Sequence, residues 1–384
     1  MTITVVADVL GSENNGTTIA CWNLIRYLRK CGDEVRVLCA DQGRKGEDGF
    51  FIVPNLRLGF FLDKVVEKNG VSLAKNDKIT IEEALRGADV CHVMLPFGLG
   101  RGALMMAKAM GIPVTAGFHC QAENFTSHIF LINSKLANKA FYRGIYNRFY
   151  RHVDRIHYPT LFIKEYFENS VRKSTPGVVV SNGVNDIYRK KGVEKPVWLR
   201  NRFVILFIGR LSREKSHKVL VKAVKYSRYS DKIQLLFAGS GPKAGSVMKC
   251  ARRVKINPPL IKFYSREELV DVINYSDLYC HPAEIEIEAI SCLEAIRCGL
   301  VPVISDSPRS ATRFFALGEN NLFECNNPKD LAKKIDFWIE HPELKKDVSK
   351  KYEGFTKQFD QSECMKKTRQ IMGDAYEEKN ALLH

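Results

Sequence analysis

The run Phe203-Val204-Ile205-Leu206-Phe207-Ile208-Gly209-Arg210-Leu211-Ser212-Arg213-Glu214-Lys215 decides how this chain is read. Its unbroken apolar half predicts a strand covered on both faces, the mark of a parallel sheet rather than of a half-solvated antiparallel one. Gly209 lets another backbone approach the strand end, and Arg210 and Lys215 set two cations there before a helix begins at His217. Open parallel sheets bind ligands beyond the carboxyl ends of their strands, so the pair is a candidate anion site. Taken alone, solvated basic residues on a loop remain the plainer reading.

The same grammar extends in both directions. Downstream, strands are expected at Ile233–Ala238, Leu278–His281 and Val301–Ser305, with helices at His217–Tyr226, Arg266–Tyr275 and near Ala289–Cys298. Upstream, Ile3–Ala7, Glu34–Cys39, Val90–Leu95, Pro113–Gly117, Arg155–Tyr158 and Gly177–Val180 read as strands, and Cys21, Leu24, Ile25 and Leu28 fall at helical spacing before Cys31-Gly32. Alternating strands and helices imply parallel sheets with crossover helices. Between the two series, residues 188–202 are polar and aperiodic, with Arg189, Lys190, Lys191, Gly192 and Pro196. The expected fold class is therefore α/β, with two doubly wound Rossmann-like domains facing a central cleft: residues 1–187, a linker at 188–202, and residues 203–362, with a C-terminal helix at 363–384.

Composition narrows the function classes. At 384 residues and 45% hydrophobic the chain exceeds what one core usually fills, and 27% charged with 10% aromatic residues argues against disorder. A net charge of +16 calls for an anionic partner, whether nucleic acid, membrane or phosphorylated substrate. No uncharged apolar run approaches the roughly 18 residues of a membrane span, and Ala109–Ala122 is broken by Gly111, Pro113 and His119. Met1–Leu10 lacks the basic start and long apolar core of a signal peptide, so a mature protein beginning at Met1 in the cytosol is expected. Eleven scattered cysteines without a C-x-x-C pair read as small buried hydrophobes. There is no paired Cys/His zinc spacing, no aromatic RNA-sheet motif and no basic tail, so nucleic acid has no footprint.

Two further stretches carry chemistry. Phe237-Ala238-Gly239-Ser240-Gly241-Pro242 is a strand end with a glycine-rich turn, where bare backbone N–H groups meet a phosphate or ribose, or simply a turn. In His281-Pro282-Ala283-Glu284-Ile285-Glu286-Ile287-Glu288-Ala289-Ile290-Ser291-Cys292-Leu293-Glu294, a loop carboxylate precedes a helical one by eight positions, and carboxylates accept the paired hydroxyls of sugars.

These elements in this order resemble the C-terminal domain of glycosyltransferase family 4, retaining enzymes of the GT-B fold that use nucleotide-sugar donors. The family's glycine-arginine and glutamate-lysine stretch matches Gly209, Arg210, Glu214 and Lys215, and its E-x7-E signature matches Glu286 and Glu294. The resemblance extends over nearly the whole chain. The Gly-rich loop after the first strand matches Asn14-Asn15-Gly16-Thr17-Thr18, the family histidine matches His119, and the asparagine-glycine-valine step matches Asn182-Gly183-Val184. The resemblance implies that Arg210 and Lys215 hold the donor diphosphate, with Gly209, Gly239 and Gly241 beside it. It further implies that Glu294 holds the ribose, Glu286 the transferred sugar and His119 a sugar hydroxyl, while Gly16 allows close approach. Fixed cations suit a departing diphosphate. No D-x-D sequence is present to hold a divalent ion, so neither metal nor other cofactor is expected.

After the first glutamate the family's glycine-phenylalanine-glycine is replaced by Ile287-Glu288-Ala289, which removes flexible glycines and adds a charge beside the sugar site. This form, with the asparagine-glycine-threonine loop and His119-Cys120-Gln121-Ala122-Glu123-Asn124, is similar to the subgroup that glycosylates diacylglycerol lipids. It implies an acceptor side formed by Asn15, Thr17, Gln121, Glu123 and Asn124, with Glu123 equally readable as a helix-entry residue. Residues 124–153 contain no acid but carry Lys135, Lys139, Arg143, Arg148 and Arg151 among aromatic residues. This is a candidate for an anionic membrane interface, or a core helix with a solvated cationic face. The expectation is a hexosyltransferase, with UDP-glucose as donor and a membrane lipid as acceptor, on the inner face of the cell membrane. A soluble or cell-envelope glycan acceptor, and a non-catalytic nucleotide or nucleic-acid binder, remain as alternatives.

Overall fold

The computed structural model describes residues 1–8, 10, 11, 16–56, 74–123 and 134–382. The chain divides into two compact units, one drawn from Met1–Ala122, Leu131–Asn182 and Ser362–His384, the other mainly from Gly183–Gln361.

In the first unit seven parallel strands form one sheet: β1 (Thr2–Ala7), β2 (Glu34–Cys39), β3 (Phe50–Ile52), β4 (Val90–Val93), β5 (Val114–Gly117), β6 (Arg155–Tyr158) and β7 (Gly177–Val179). Their order is β3-β2-β1-β4-β5-β6-β7. The direction of winding reverses between β1 and β4, which pair from Ile3↔Val90 to Val6↔Val93. Crossover helices Gly16–Lys30, Lys78–Leu85, Gly98–Ala109, Lys135–Arg148 and Leu161–Val171 join the strands. The last helix, Gln361–Ala381, buries Cys364, Met365, Ile371 and Met372. Its Arg369 makes two hydrogen bonds, 2.6 and 2.8 Å, to the Asp33 carboxylate, which also accepts from the Met1 amino group at 3.1 Å.

The second unit repeats the plan with β8 (Phe203–Ile208), β9 (Ile233–Ala238), β10 (Leu260–Lys262), β11 (Leu278–His281), β12 (Pro302–Asp306) and β13 (Leu322–Glu324), in the order β10-β9-β8-β11-β12-β13. Its reversal lies between β8 and β11. The apolar run of β8 is buried from Val204 to Ile208, as a central parallel strand requires.

Three sequence expectations need correction. Residues 188–202 are not a free linker: Tyr188 and Leu199 are buried in the second unit's core, and Lys195 bonds Asp277 at 2.5 Å. The division falls at 182/183, because the aperiodic stretch still contributes two anchors that its polar composition conceals. The strands β3, β10 and β13 went unread: each spans three residues, and unlike the equally short β7, with its Val178-Val179-Val180 run, none has a run of β-branched residues to mark it. Of the eleven cysteines, all free, Cys31 is exposed and Cys325 half-buried, so the buried-hydrophobe reading holds only for the other nine.

Candidate functional site

The reversal between β8 and β11 is where an open sheet of this topology leaves a crevice at its carboxyl end. Two loops meet there. After β8, Gly209 takes φ +143°, and its neighbours pack against the turn after β9. A Cβ on Gly239 would lie 2.0 Å from the Gly209 carbonyl oxygen, and one on Gly241 would lie 2.5 Å from that of Leu211. The Leu211 amide donates to the Ser240 carbonyl at 2.8 Å. Gly239 and Gly241 therefore have a packing task in seating one loop on the other, and the sequence reading of a bare phosphate cradle needs this addition. Arg210 and Lys215 are both half-buried on the first loop.

The second loop, 282–289, is tied at both ends. The Glu284 amide donates to the Glu214 carbonyl at 2.9 Å, and the Glu284 carboxylate accepts from Arg309 (2.6 Å), Asn326 (2.7 Å) and Ser216 (3.2 Å). The Ala311 amide donates to the Glu286 carbonyl at 2.9 Å. Glu286 then forms an ion pair with Lys215 and accepts from His281 Nε2 at 3.1 Å. Burial alone would raise its pKa, but Lys215 and His281 outweigh burial and bring it down to about 2. The E-x7-E pair is thereby split electrostatically. Glu294, on helix Ile290–Arg297, is pushed up to about 7 by burial, with Tyr188 and Arg266 opposing. One carboxylate is fixed as an anion and the other is poised to titrate near neutrality.

Glu294 has a checkable consequence for stability. Its folded pKa lies above the unfolded value, so the folded state holds the extra proton between about pH 4.5 and 7, and stability falls as pH rises through that window. The loss is on the order of 3 kcal/mol. Thermal melts should show Glu294→Gln stabilised relative to the parent at pH 8 and not at pH 4; equal shifts at both would refute the titration.

The Ile287-Glu288-Ala289 substitution acts through the backbone. Ala289, at φ +59° and ψ 61°, precedes the first helical residue in the left-handed region that glycine occupies freely. Ala289→Gly is expected to stabilise by about 1 kcal/mol, read as a raised denaturation midpoint. Glu288, the residue expected to add a charge beside the sugar site, is buried at 3% exposure, while Ile287 is half-buried.

In the first unit His119 follows β5 and folds back over it. A Cβ on Gly117 would lie 2.4 Å from His119 Nε2, so the glycine makes that return possible. Burial, then His157 and His92, push His119 down to about 3. It is neutral, suited to exchanging hydrogen bonds with a hydroxyl rather than to carrying charge. Thr17 is half-buried and Gly16 exposed at the start of helix Gly16–Lys30, with nothing within 4 Å of a Cβ built on Gly16. Gln121 and Glu123, expected on the acceptor side, are fully buried. Asn15 and Asn124 lie outside the described residues.

The basic segment divides in two. On helix Lys135–Arg148 and the turn after it, Tyr142, Phe149 and Tyr150 are buried. Phe118 sits at the centre of this cluster, with ring centroids 5.1 Å from Tyr150 and 4.7 Å from Phe167. Those aromatics are core, so for them the structure agrees with the core-helix alternative of the two readings the sequence left open. Lys135, Arg143, Arg148 and Arg151 stay exposed, Lys139 is half-buried, and Leu136 stands 83% exposed beside Lys135. Sequence reasoning missed Tyr279 and Tyr188, and it quoted His281 and Glu284 within their motif without giving either a role. The only local signal for His281 was its place at a strand end before Pro282, and the others had none.

The family model for glycosyl transferases group 1 matches residues 189–354, and that for glycosyltransferase family 4 matches residues 14–187. The chain is a family 4 glycosyltransferase. It is 22% identical over 314 residues to an α-monoglucosyldiacylglycerol synthase from Acholeplasma laidlawii, covering 77% of this chain and 78% of that one. A GDP-mannose-dependent α-mannosyltransferase from Mycolicibacterium smegmatis is 26% identical over 85% of this chain and 87% of its own. Among solved structures, HepE from Anabaena, in complex with UDP and glucose, superposes with a TM-score of 0.75 at 14% identity, over 97% of this chain and all of that one. The catalytic domain of a cholesterol-α-glucosyltransferase from Helicobacter pylori is 43% identical, over 40% of this chain and 96% of that domain, with a TM-score of 0.39. The glycosyltransferase has the GT-B fold, two parallel-sheet α/β units, and its second unit carries the Arg210, Lys215, Glu286 and Glu294 constellation. Among the described residues no helix is long and apolar enough to cross a membrane.

Proposed function

We propose that this glycosyltransferase moves glucose from UDP-glucose to the hydroxyl of a membrane lipid, with retention of configuration. The observation that carries the donor half is the meeting of Lys215 with Glu286 beside the β8 strand end, with Arg210 on the same loop. In the reaction the anomeric carbon–phosphate oxygen bond breaks and the nucleoside diphosphate leaves with the electron pair. The acceptor oxygen bonds the same face of the anomeric carbon, and its proton passes to the departing phosphate. Arg210 and Lys215 neutralise that phosphate as charge develops. Glu286 accepts from hydroxyls of the hexose, Glu294 from the ribose, and neutral His119 from or to a sugar hydroxyl.

Two cations at the diphosphate and the lack of a D-x-D sequence support a reaction without metal. Rates should survive excess chelator, and a chelator-sensitive rate restored by divalent cation would contradict this. The lipid acceptor is supported by the exposed Lys135, Arg143, Arg148 and Arg151 and by the glucolipid synthase relative. The proposal includes a peripheral attachment to the cytoplasmic face of the membrane. The test is a panel of UDP- and GDP-sugars against anionic vesicles carrying diacylglycerol, a glycosylated diacylglycerol or a sterol, beside soluble oligosaccharides. The reading expects UDP-glucose turnover that depends on a lipid acceptor. Turnover confined to soluble sugars would transfer the assignment to glycan synthesis.

A further inference from the structure

Both grips on Glu286 fall on the same oxygen. Lys215 Nζ and His281 Nε2 each donate to Oε1, which leaves the Oε2 edge of the carboxylate to meet a ligand. His281 closes strand β11 and is 1% exposed. Its other nitrogen, Nδ1, lies 3.0 Å from the Tyr279 hydroxyl, two residues back on the same face of the strand. That hydroxyl lies 3.3 Å from Ser291 Oγ on helix Ile290–Arg297. The rings of Phe207 and Tyr279 stack on the imidazole at centroid distances of 6.0 and 5.9 Å and fix its plane.

The protons in this chain can be assigned from donor and acceptor capacity. Ionised Glu286 only accepts, so His281 Nε2 carries a hydrogen. Burial outweighs the pull of Glu286 and, with the Lys215 charge, holds the ring below the usual histidine range. The ring is neutral, Nδ1 is an acceptor, and the Tyr279 hydroxyl donates to it. Tyr279 then accepts from Ser291. Every donor points one way, and the chain ends on the carboxylate.

We infer that His281 is a positioning residue for the donor sugar: the directed chain from Ser291 through Tyr279 fixes its Nε2–H tautomer, and His281 in turn holds Glu286 with Oε2 presented to hexose hydroxyls. The inference rests on the proposed reading of Glu286 as the carboxylate that meets the transferred sugar. Without the imidazole donor, the Lys215 ammonium is the remaining grip, and the carboxylate turns about it. Contacts to the sugar are then lost while contacts to the nucleotide persist.

The test joins a spectroscopic and a kinetic measurement on the full chain. In 15N-histidine spectra, the signals absent from His281→Gln should show a pyrrole-type Nε2 and a pyridine-type Nδ1, and Tyr279→Phe should move them toward a mixture of tautomers. His281→Leu should raise KM for the sugar nucleotide at least tenfold while changing the Kd of UDP less than threefold. His281→Gln, whose amide can donate from a similar position, should bring KM back to within threefold of the parent. An Nδ1–H tautomer or a charged ring at neutral pH would overturn the inference. So would a His281→Leu variant that weakens UDP and sugar nucleotide equally, as a merely structural role would, or that changes neither. If the Nε2–H tautomer is found and Glu286→Gln leaves KM for the sugar nucleotide unchanged, the sugar reading of Glu286 fails while the chain itself stands, and the role given to His281 falls with that reading.

Discussion

Replacing Lys215 by alanine is expected to lower kcat for UDP-glucose turnover by about 100- to 1000-fold, the cost of removing one fixed donor from a developing negative charge. Two effects combine. The cation that would neutralise the departing phosphate is gone, and Glu286 loses the ion pair that offsets its burial. The second effect raises the carboxyl pKa and loosens the loop between His281 and Ala289. Lys215→Arg separates them, because arginine restores the charge but not the compact ammonium geometry, and recovery should be partial. Arg210→Ala, which leaves the Glu286 ion pair in place, should lower turnover without raising the Glu286 pKa. Initial rates of UDP release with lipid acceptor present measure all three. A Lys215→Ala rate within threefold of the parent would remove Lys215 from the reaction.

Reversing the exposed charges of the first unit is expected to separate membrane binding from chemistry. Lys135, Arg143 and Arg148 stand in solvent, and no ion pair involves them among the described residues. Each cation near an anionic surface contributes about 1 kcal/mol. Exchanging all three for glutamate removes three attractions and adds three repulsions. Partition onto anionic vesicles should fall at least 100-fold, and the parent's own binding should weaken steeply between low and physiological salt. Stability should hold, since the buried side of the segment is the Tyr142, Phe149 and Tyr150 aromatic core and surface changes usually move it by less than about 0.5 kcal/mol. Turnover of a short-chain soluble lipid analogue should also hold. Vesicle sedimentation with and without anionic lipid measures the first expectation, and unchanged binding by the triple variant would detach the membrane assignment from this face.

The fold was legible wherever burial left a continuous apolar signature. Phe203–Ile208 and Ile233–Ala238 read as central strands, and both ends of each agree with the structure. The three-residue strands at Phe50, Leu260 and Leu322 carry no such signature, because their pairing is imposed by neighbours already in place. Tyr188 and Leu199 were hidden for a related reason: two anchors within a polar stretch are enough to bind it to a core, yet too few to show a period.

The candidate site was legible through spacing that chemistry constrains, and it stopped where partners are distant in sequence. Glu286 and Glu294 were found by their eight-residue interval. The opposite electrostatic fates of the two could not be read, because Lys215 lies 71 residues from Glu286 and Tyr188 lies in what looked like a linker. The aromatic residues of the basic segment were left between a membrane and the core because amphipathic spacing does not say which apolar surface a face meets. Phe118 and Phe167 supply that surface from other elements of the unit.

The most direct measurement is transfer itself. Purified protein given UDP-[13C]glucose and anionic vesicles with a diacylglycerol acceptor should yield UDP and a glucosyl lipid whose anomeric coupling is that of the α-linkage, matching the donor. A β-linked product would contradict retention, and UDP-glucose left unconsumed across the whole lipid panel would contradict the central claim.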